Sequence, residues 1–188
     1  MIRPQDLKGE QLFYRCINGA YVVSRTHWGQ LNLYLPFPGL IGAPPEKIQH
    51  DNGVAFVGTA LVRLYADGRM MLARGFVWDG ASGPTLDDET TRRNSAYHDG
   101  GASLSRAGLI SPTMQDYFDK ILKNVGVADG MPYARAELWH FGVDRFGGFA
   151  WQPGYEPYPE ESAPIIGDPL KPESEFSFDI HNGLKPAG

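Results

Sequence analysis

A chain of 188 residues, 42% apolar and 21% charged, has room for one sizeable core and fits a single domain better than two. Its formal net charge of -5 and pI near 5.5 leave no basic surface for a phosphate backbone, which sets nucleic-acid binding aside. No apolar run approaches the ~20 residues that span a bilayer, and the opening MIRPQDLKGE lacks the apolar stretch of a signal peptide, so a cytoplasmic protein without a transmembrane segment is expected.

Residues 11–35 read as strands. LFYRCI and AYVVS are β-rich and flank Asn18-Gly19, a dipeptide suited to the positive φ angles of a hairpin turn. The single cysteine, Cys16, lies in this apolar stretch, where a buried, inert thiol is expected. In GQLNLYLP the alternation of Leu31, Leu33 and Leu35 with Asn32 and Tyr34 predicts a strand buried on one face. Residues 36–53 carry four prolines and read as a surface loop. VAFVGTALVRLYA and RMMLARGFVW then flank Asp67-Gly68, a second hairpin signal.

After Trp78 the small, polar DGASGPT leads into three helical segments. The first starts near Thr85 to Asp88 and runs through TTRRNSAYHD until Gly100-Gly101 weakens it. The second has Ser111 as N-cap and Pro112 at its first position; Met114, Phe118, Ile121 and Val125 form one stripe, and Gly126 is placed to stop it. The third covers about 132–146 and ends at Gly147-Gly148. Together these elements predict an α+β fold, with N-terminal antiparallel hairpins and a three-helix C-terminal half, over residues 1–151. Residues 152–188 shift to Pro, Glu and Gly and read as an arm that rests on the body or on a partner.

Neutral His is the side chain best suited to take a proton near pH 7, and a carboxylate that fixes its tautomer improves it. His98, Asp99, Asp79 and Asp116 are the candidate cluster. Asp99 points ~100° away from His98 on a helix and is free for a second task such as holding a cation. Asp116 lies roughly 160° from Phe118 on the helical wheel, so it meets His98 only if that face turns toward the first helix. The bland alternatives are a capping or core His98, a turn-forming Asp79 and a surface Asp116. Ser82 lacks the strand-turn-helix context of a hydrolase nucleophile. Trp78, Tyr97, Trp139 and Phe149 read as core or rim aromatics and His140 as packed among them, with His27, His50 and His181 isolated in loops. No Cys/His spacing suits zinc, which leaves a hard cation held by carboxylates as the one metal reading.

GFVWDGASGP (75–84), AYHD (96–99), SPTMQDYFDKILKNVGV (111–127) and FGVDRFGGFAW (141–151), in this order, resemble the phage-associated DUF1353 family over residues 60–151. The sequence departs from that pattern after the His-Asp pair, where Gly100, Gly101 and Ala102 stand in place of an aliphatic residue and a Tyr. The helix pair is also similar to that of phospholipase A2 domains. That resemblance implies His98 as general base, Asp116 as the carboxylate that orients it, and Asp79 and Asp99 as ligands of Ca²⁺. Two functions are therefore expected in competition. One is a His-Asp hydrolase, Ca²⁺-assisted on the phospholipase analogy. The other is a non-enzymatic phage virion, tail or accessory protein in a bacterial host, whose C-terminal arm contacts phage structural proteins or a second copy of itself.

Overall fold

The computed structural model describes residues 11–17, 20–81, 85–153 and 155. They form two antiparallel sheets followed by three helices, an α+β architecture. The Asn18-Gly19 turn, residues 82–84 and nearly all of the expected arm lie outside the described residues.

Strands β1 (Tyr14–Ile17) and β2 (Ala20–Val23) pair antiparallel, with Tyr14 opposite Val23. The chain then enters a second sheet made of β3 (His27–Gln30), β4 (Gln49–Asp51), β5 (Val54–Gly58), β6 (Val62–Tyr65) and β7 (Arg69–Leu72), in the spatial order β3-β7-β6-β5-β4. It returns to the first sheet as β8 (Val77–Trp78), which pairs with β2. The expected hairpin at Asp67-Gly68 joins β6 to β7, with Gly68 at φ 85°. The two apolar runs around it are each broken: Thr59 turns the chain between β5 and β6, and residues 73–76 carry it from β7 across to the other sheet.

Three expectations for this half do not hold. The strand expected through Leu31, Leu33 and Leu35 stops at Gln30, because its partner β7 begins at Arg69. Past that point Asn32 bonds the Asp67 carbonyl at 2.9 Å and the chain closes into a 3-10 turn, burying Leu31 and leaving Leu33 exposed. The expected loop at 36–53 contains β4, which returns through Asn52 (φ 50°) and Gly53 (φ 82°) to β5. Both residues take the left-handed conformation that a two-residue hairpin requires. Cys16 is exposed rather than buried, on a strand that among the described residues pairs on one side only.

Helix α1 (Glu89–Arg106) starts in a capping box. The Asp88 side chain accepts from the Thr90 N–H, and Thr91 Oγ accepts from the Asp88 N–H. It does not end at Gly100-Gly101. A Cβ on Gly100 would lie 2.5 Å from Met70 of β7, and one on Gly101 would lie 2.7 Å from the Phe118 ring. These glycines are where α1 meets the sheet on one side and the second helix on the other, and tertiary contact overrides their poor helix propensity.

Ser111 caps a 3-10 turn at Pro112–Met114 that runs into α2 (Gln115–Ala128). Gly126 is inside α2, not at its end; its missing side chain admits Asn94 of α1. The stop is Gly130, at φ 100°, where the Met131 N–H reaches back to the Gly126 carbonyl at 2.8 Å and the Gly130 N–H to Val127 at 3.1 Å. This pair of bonds caps carbonyls that the helix leaves open. Helix α3 (Tyr133–Phe146) follows the expected span and is capped by Gly147, and residues Gly148–Trp151 form a last 3-10 turn. Among the described residues no helix is long and apolar enough to cross a membrane.

Candidate functional site

α1 and α2 pack closely enough to exchange side-chain hydrogen bonds. Asn94 donates to the Leu122 carbonyl at 3.0 Å, and one turn further along α1 the His98 Nε2 lies 2.7 Å from Asp119 Oδ1. Asp119 is fully buried, and its other oxygen accepts from Gln115 Nε2 at 3.2 Å, which also reaches the Val143 carbonyl of α3 at 3.4 Å. The second ring nitrogen of His98, Nδ1, stands 3.5 Å from Asp99 Oδ1. Trp151 packs its ring edge-on against the imidazole at 5.4 Å. Burial pulls the imidazole toward its neutral form. The hydrogen bonds and charges of Asp119 and Asp99 overcome this and push its pKa up to about 9.

His98 lies in the wall of a pocket of about 270 Å³ enclosed by the three helices and the turn after α3. From α1, Ser95, Asp99, Ala102 and Arg106 follow one another at helical spacing along it. Trp139, Val143 and Phe146 of α3 and Leu122 of α2 make the interior mainly apolar. The closing turn is tied to α1 by Ser105 Oγ, which donates to the Trp151 carbonyl at 2.7 Å, and by Arg106, which donates to Ala150 at 3.1 Å. A mostly apolar cleft with a few convergent polar groups and one strongly shifted titratable residue is the general form of a ligand site.

The four residues expected from sequence meet different fates. His98 and Asp99 are in the pocket, side by side. Asp79 is at its edge, exposed, on the loop between β8 and α1. That loop is held by Asp87, which takes hydrogen bonds from Tyr21, Thr91 and the Ala81 N–H and pairs with Arg92. Asp116 is corrected: it is exposed on the outer side of α2, and the carboxylate that meets His98 is Asp119. The helical wheel carries the signal for this. Asp119 lies ~100° from Phe118, in line with Leu122 and Gly126 on the side turned to α1, whereas Asp116, ~160° from Phe118, is turned about 60° further outward.

The Ca²⁺ expectation finds no matching donors. Calcium takes roughly six to eight oxygen ligands, yet no group of three or more His, Cys, Asp or Glu side chains converges among the described residues. Asp79 is exposed at the edge and Asp99 is turned toward His98. Among the described residues the acidic side chains do not assemble the donor set of a calcium site. Ser95 is no nucleophile either, since its hydroxyl donates to the Thr91 carbonyl at 2.5 Å and accepts from Trp78 at 3.1 Å. Trp139 and Phe149 do line the pocket, whereas Trp78 and Tyr97 belong to the core. His27 is not in a loop. It is buried on β3, its Nε2 2.7 Å from the Tyr97 hydroxyl, and burial with the charge of Arg93 lowers its pKa to about 4. No family model, curated protein or solved structure matches the chain.

Proposed function

We propose that the chain is a hydrolase in which His98 activates water against an ester-type bond whose apolar part occupies the pocket. The observation that carries this reading is the 2.7 Å bond from His98 Nε2 to the fully buried Asp119 at the pocket wall. Asp119 accepts from the Nε2–H tautomer, which leaves the Nδ1 lone pair of the neutral ring for a water molecule. Asp99 Oδ2, buried and without a hydrogen-bond partner among the described residues, is placed to accept that water's other proton. As the water oxygen bonds to the carbonyl carbon, Nδ1 takes one proton, and Asp119 supports the imidazolium. The same proton passes to the departing alkoxide when the carbon–oxygen bond breaks. Membership of the phage-associated DUF1353-like group belongs to this proposal and rests on the four segments between residues 75 and 151.

With a pKa of about 9, only about 1% of His98 is neutral at pH 7. Turnover of p-nitrophenyl esters of graded acyl length is therefore expected to rise about tenfold per pH unit and level off near pH 9. His98→Gln should lower kcat/KM by a factor of about 10² to 10⁴ with the circular dichroism spectrum kept. Wild-type protein that turns over no ester, or a variant as active as wild type, would sink the reading. The same cation held between two carboxylates also favours a second reading, a non-enzymatic phage accessory protein in which His98 only joins α1 to α2. In that case His98→Gln lowers the melting temperature and no ester is consumed.

A further inference from the structure

The pocket occupies the gap between α1 and α3, each of which packs on α2. Its depth is set by residues that have no room to give way. Leu122 and Trp139 are each 1% exposed and belong to a packed cluster with Met131 and Ala136, and an interior at close-packed density offers no slack into which a longer ligand could push them. Along α1 the lining runs from Asp99 to Arg106, about 10 Å at the rise of a helix. At that end Ser105 and Arg106 tie the closing turn down through the Trp151 and Ala150 carbonyls. The rim, by contrast, is open to water, with Asp79, Phe146 and Phe149 exposed on it.

Two positions inside this chamber are small. On the helical wheel Gly142 falls within the arc of Trp139, Val143 and Phe146 that α3 turns to the pocket, and Ala102 falls within the arc of Ser95, Asp99 and Arg106 on α1. Both are buried. A larger side chain at either position would fill the pocket itself, so the space for a ligand exists because these residues are Gly and Ala. That space is limited. A volume of about 270 Å³ holds about nine groups at the ~30 Å³ of a water molecule, and the paired fatty chains of a phospholipid need far more.

We propose that the ligand of this pocket is a single short acyl or aryl group of up to about nine non-hydrogen atoms, with its carbonyl at His98, and that Gly142 and Ala102 set this limit. The orientation rests on the hydrolase reading, the size limit on the walls alone.

Binding tests the limit separately from turnover. 2-Alkanones of about five to thirteen carbons present a carbonyl and an apolar chain but cannot be hydrolysed, and amide shifts of Ala102, Gly147 and Phe149 in the full chain give their dissociation constants. Affinity is expected to tighten about fourfold with each methylene that enters the pocket and to level off at about nine carbons. Gly142→Leu should move this break about four carbons shorter, and Ala102→Leu, from the opposite wall, about three, with the circular dichroism spectrum kept. Each variant reads the limit independently, and the wild-type series reads it with neither. Affinity that climbs unbroken to the longest ketone would overturn the proposal, as would a break that stays in place in the folded variants or an absence of binding at every length. Ketone binding that breaks as expected, with no ester consumed, would remove the hydrolase and leave the size limit standing. Ester turnover with no break in the ketone series would remove the size limit alone.

Discussion

The ion triad of His98, Asp119 and Asp99 makes a quantitative demand on stability. In the unfolded chain the imidazole titrates near 6.5, and in the folded one near 9. Below pH 6.5 both states hold the proton and the triad contributes in full. Between 6.5 and 9 the unfolded ring loses its proton first, so stability falls as pH rises by up to ~1.4 kcal/mol per unit, and above 9 the contribution is gone. The whole span is about 3 kcal/mol, a large share of the roughly 5–15 kcal/mol typical of a domain. Urea unfolding followed by tryptophan fluorescence at half-unit steps from about pH 6 to 9.5 measures it. His98→Gln should start lower at the acid end and remain nearly flat over the range in which the wild type declines. A wild-type stability that is constant or rising from 6.5 to 9 would refute the argument, because no buried cation would then be held between those carboxylates.

The acid side should show the opposite limb. His27, with its pKa at about 4, contributes stability that is full above 6.5 and lost as pH falls toward 4, again about 3 kcal/mol, so His27→Gln should soften the acid transition in the same titration. Asp119→Ala strands a buried cation and should cost about 3–5 kcal/mol, whereas Asp116→Ala on the exposed face should stay within about 0.5 kcal/mol; equal losses in thermal melts would count against the placement of Asp119. Gly101→Ala gains helix propensity but drives a methyl to 2.7 Å from Phe118, so a net loss of about 1–3 kcal/mol is expected, and a stabilised variant would show that α1 and α2 can part at no cost.

Local signals survive into the fold where the chemistry is local. Asp67-Gly68 makes its turn and Ser111-Pro112 starts its helix because backbone angles and nearby donors decide both. The failures share a different cause, partners distant in sequence. Leu31 leaves the strand pattern because β7 begins at Arg69, opposite Gln30, and leaves it no partner, and Gly100-Gly101 stay helical because Met70 and Phe118 lie against them. Asn52-Gly53 carries the same kind of hairpin signal as Asp67-Gly68, masked by the prolines before it. Half of the site is legible: His98 and Asp99 stand together in the pocket. Preferring Asp116 to Asp119 follows a motif spacing against the helical wheel, and the pocket needs α3, whose Trp139 and Phe146 carry no sequence mark of a cavity.

The two glycines of α1 also act as a spacing gauge for the site. Helix axes that meet through ordinary side chains stand about 8–10 Å apart, and removing a Cβ at the contact lets them close further. His98 lies one turn from Gly101, so its reach to Asp119 is set by a residue that touches neither ring nor carboxylate. Sequence drift at positions 100 and 101 would change proton affinity at 98 before it changed any residue of the pocket, and a search for relatives of this site should weigh small residues there as heavily as the His-Asp pair.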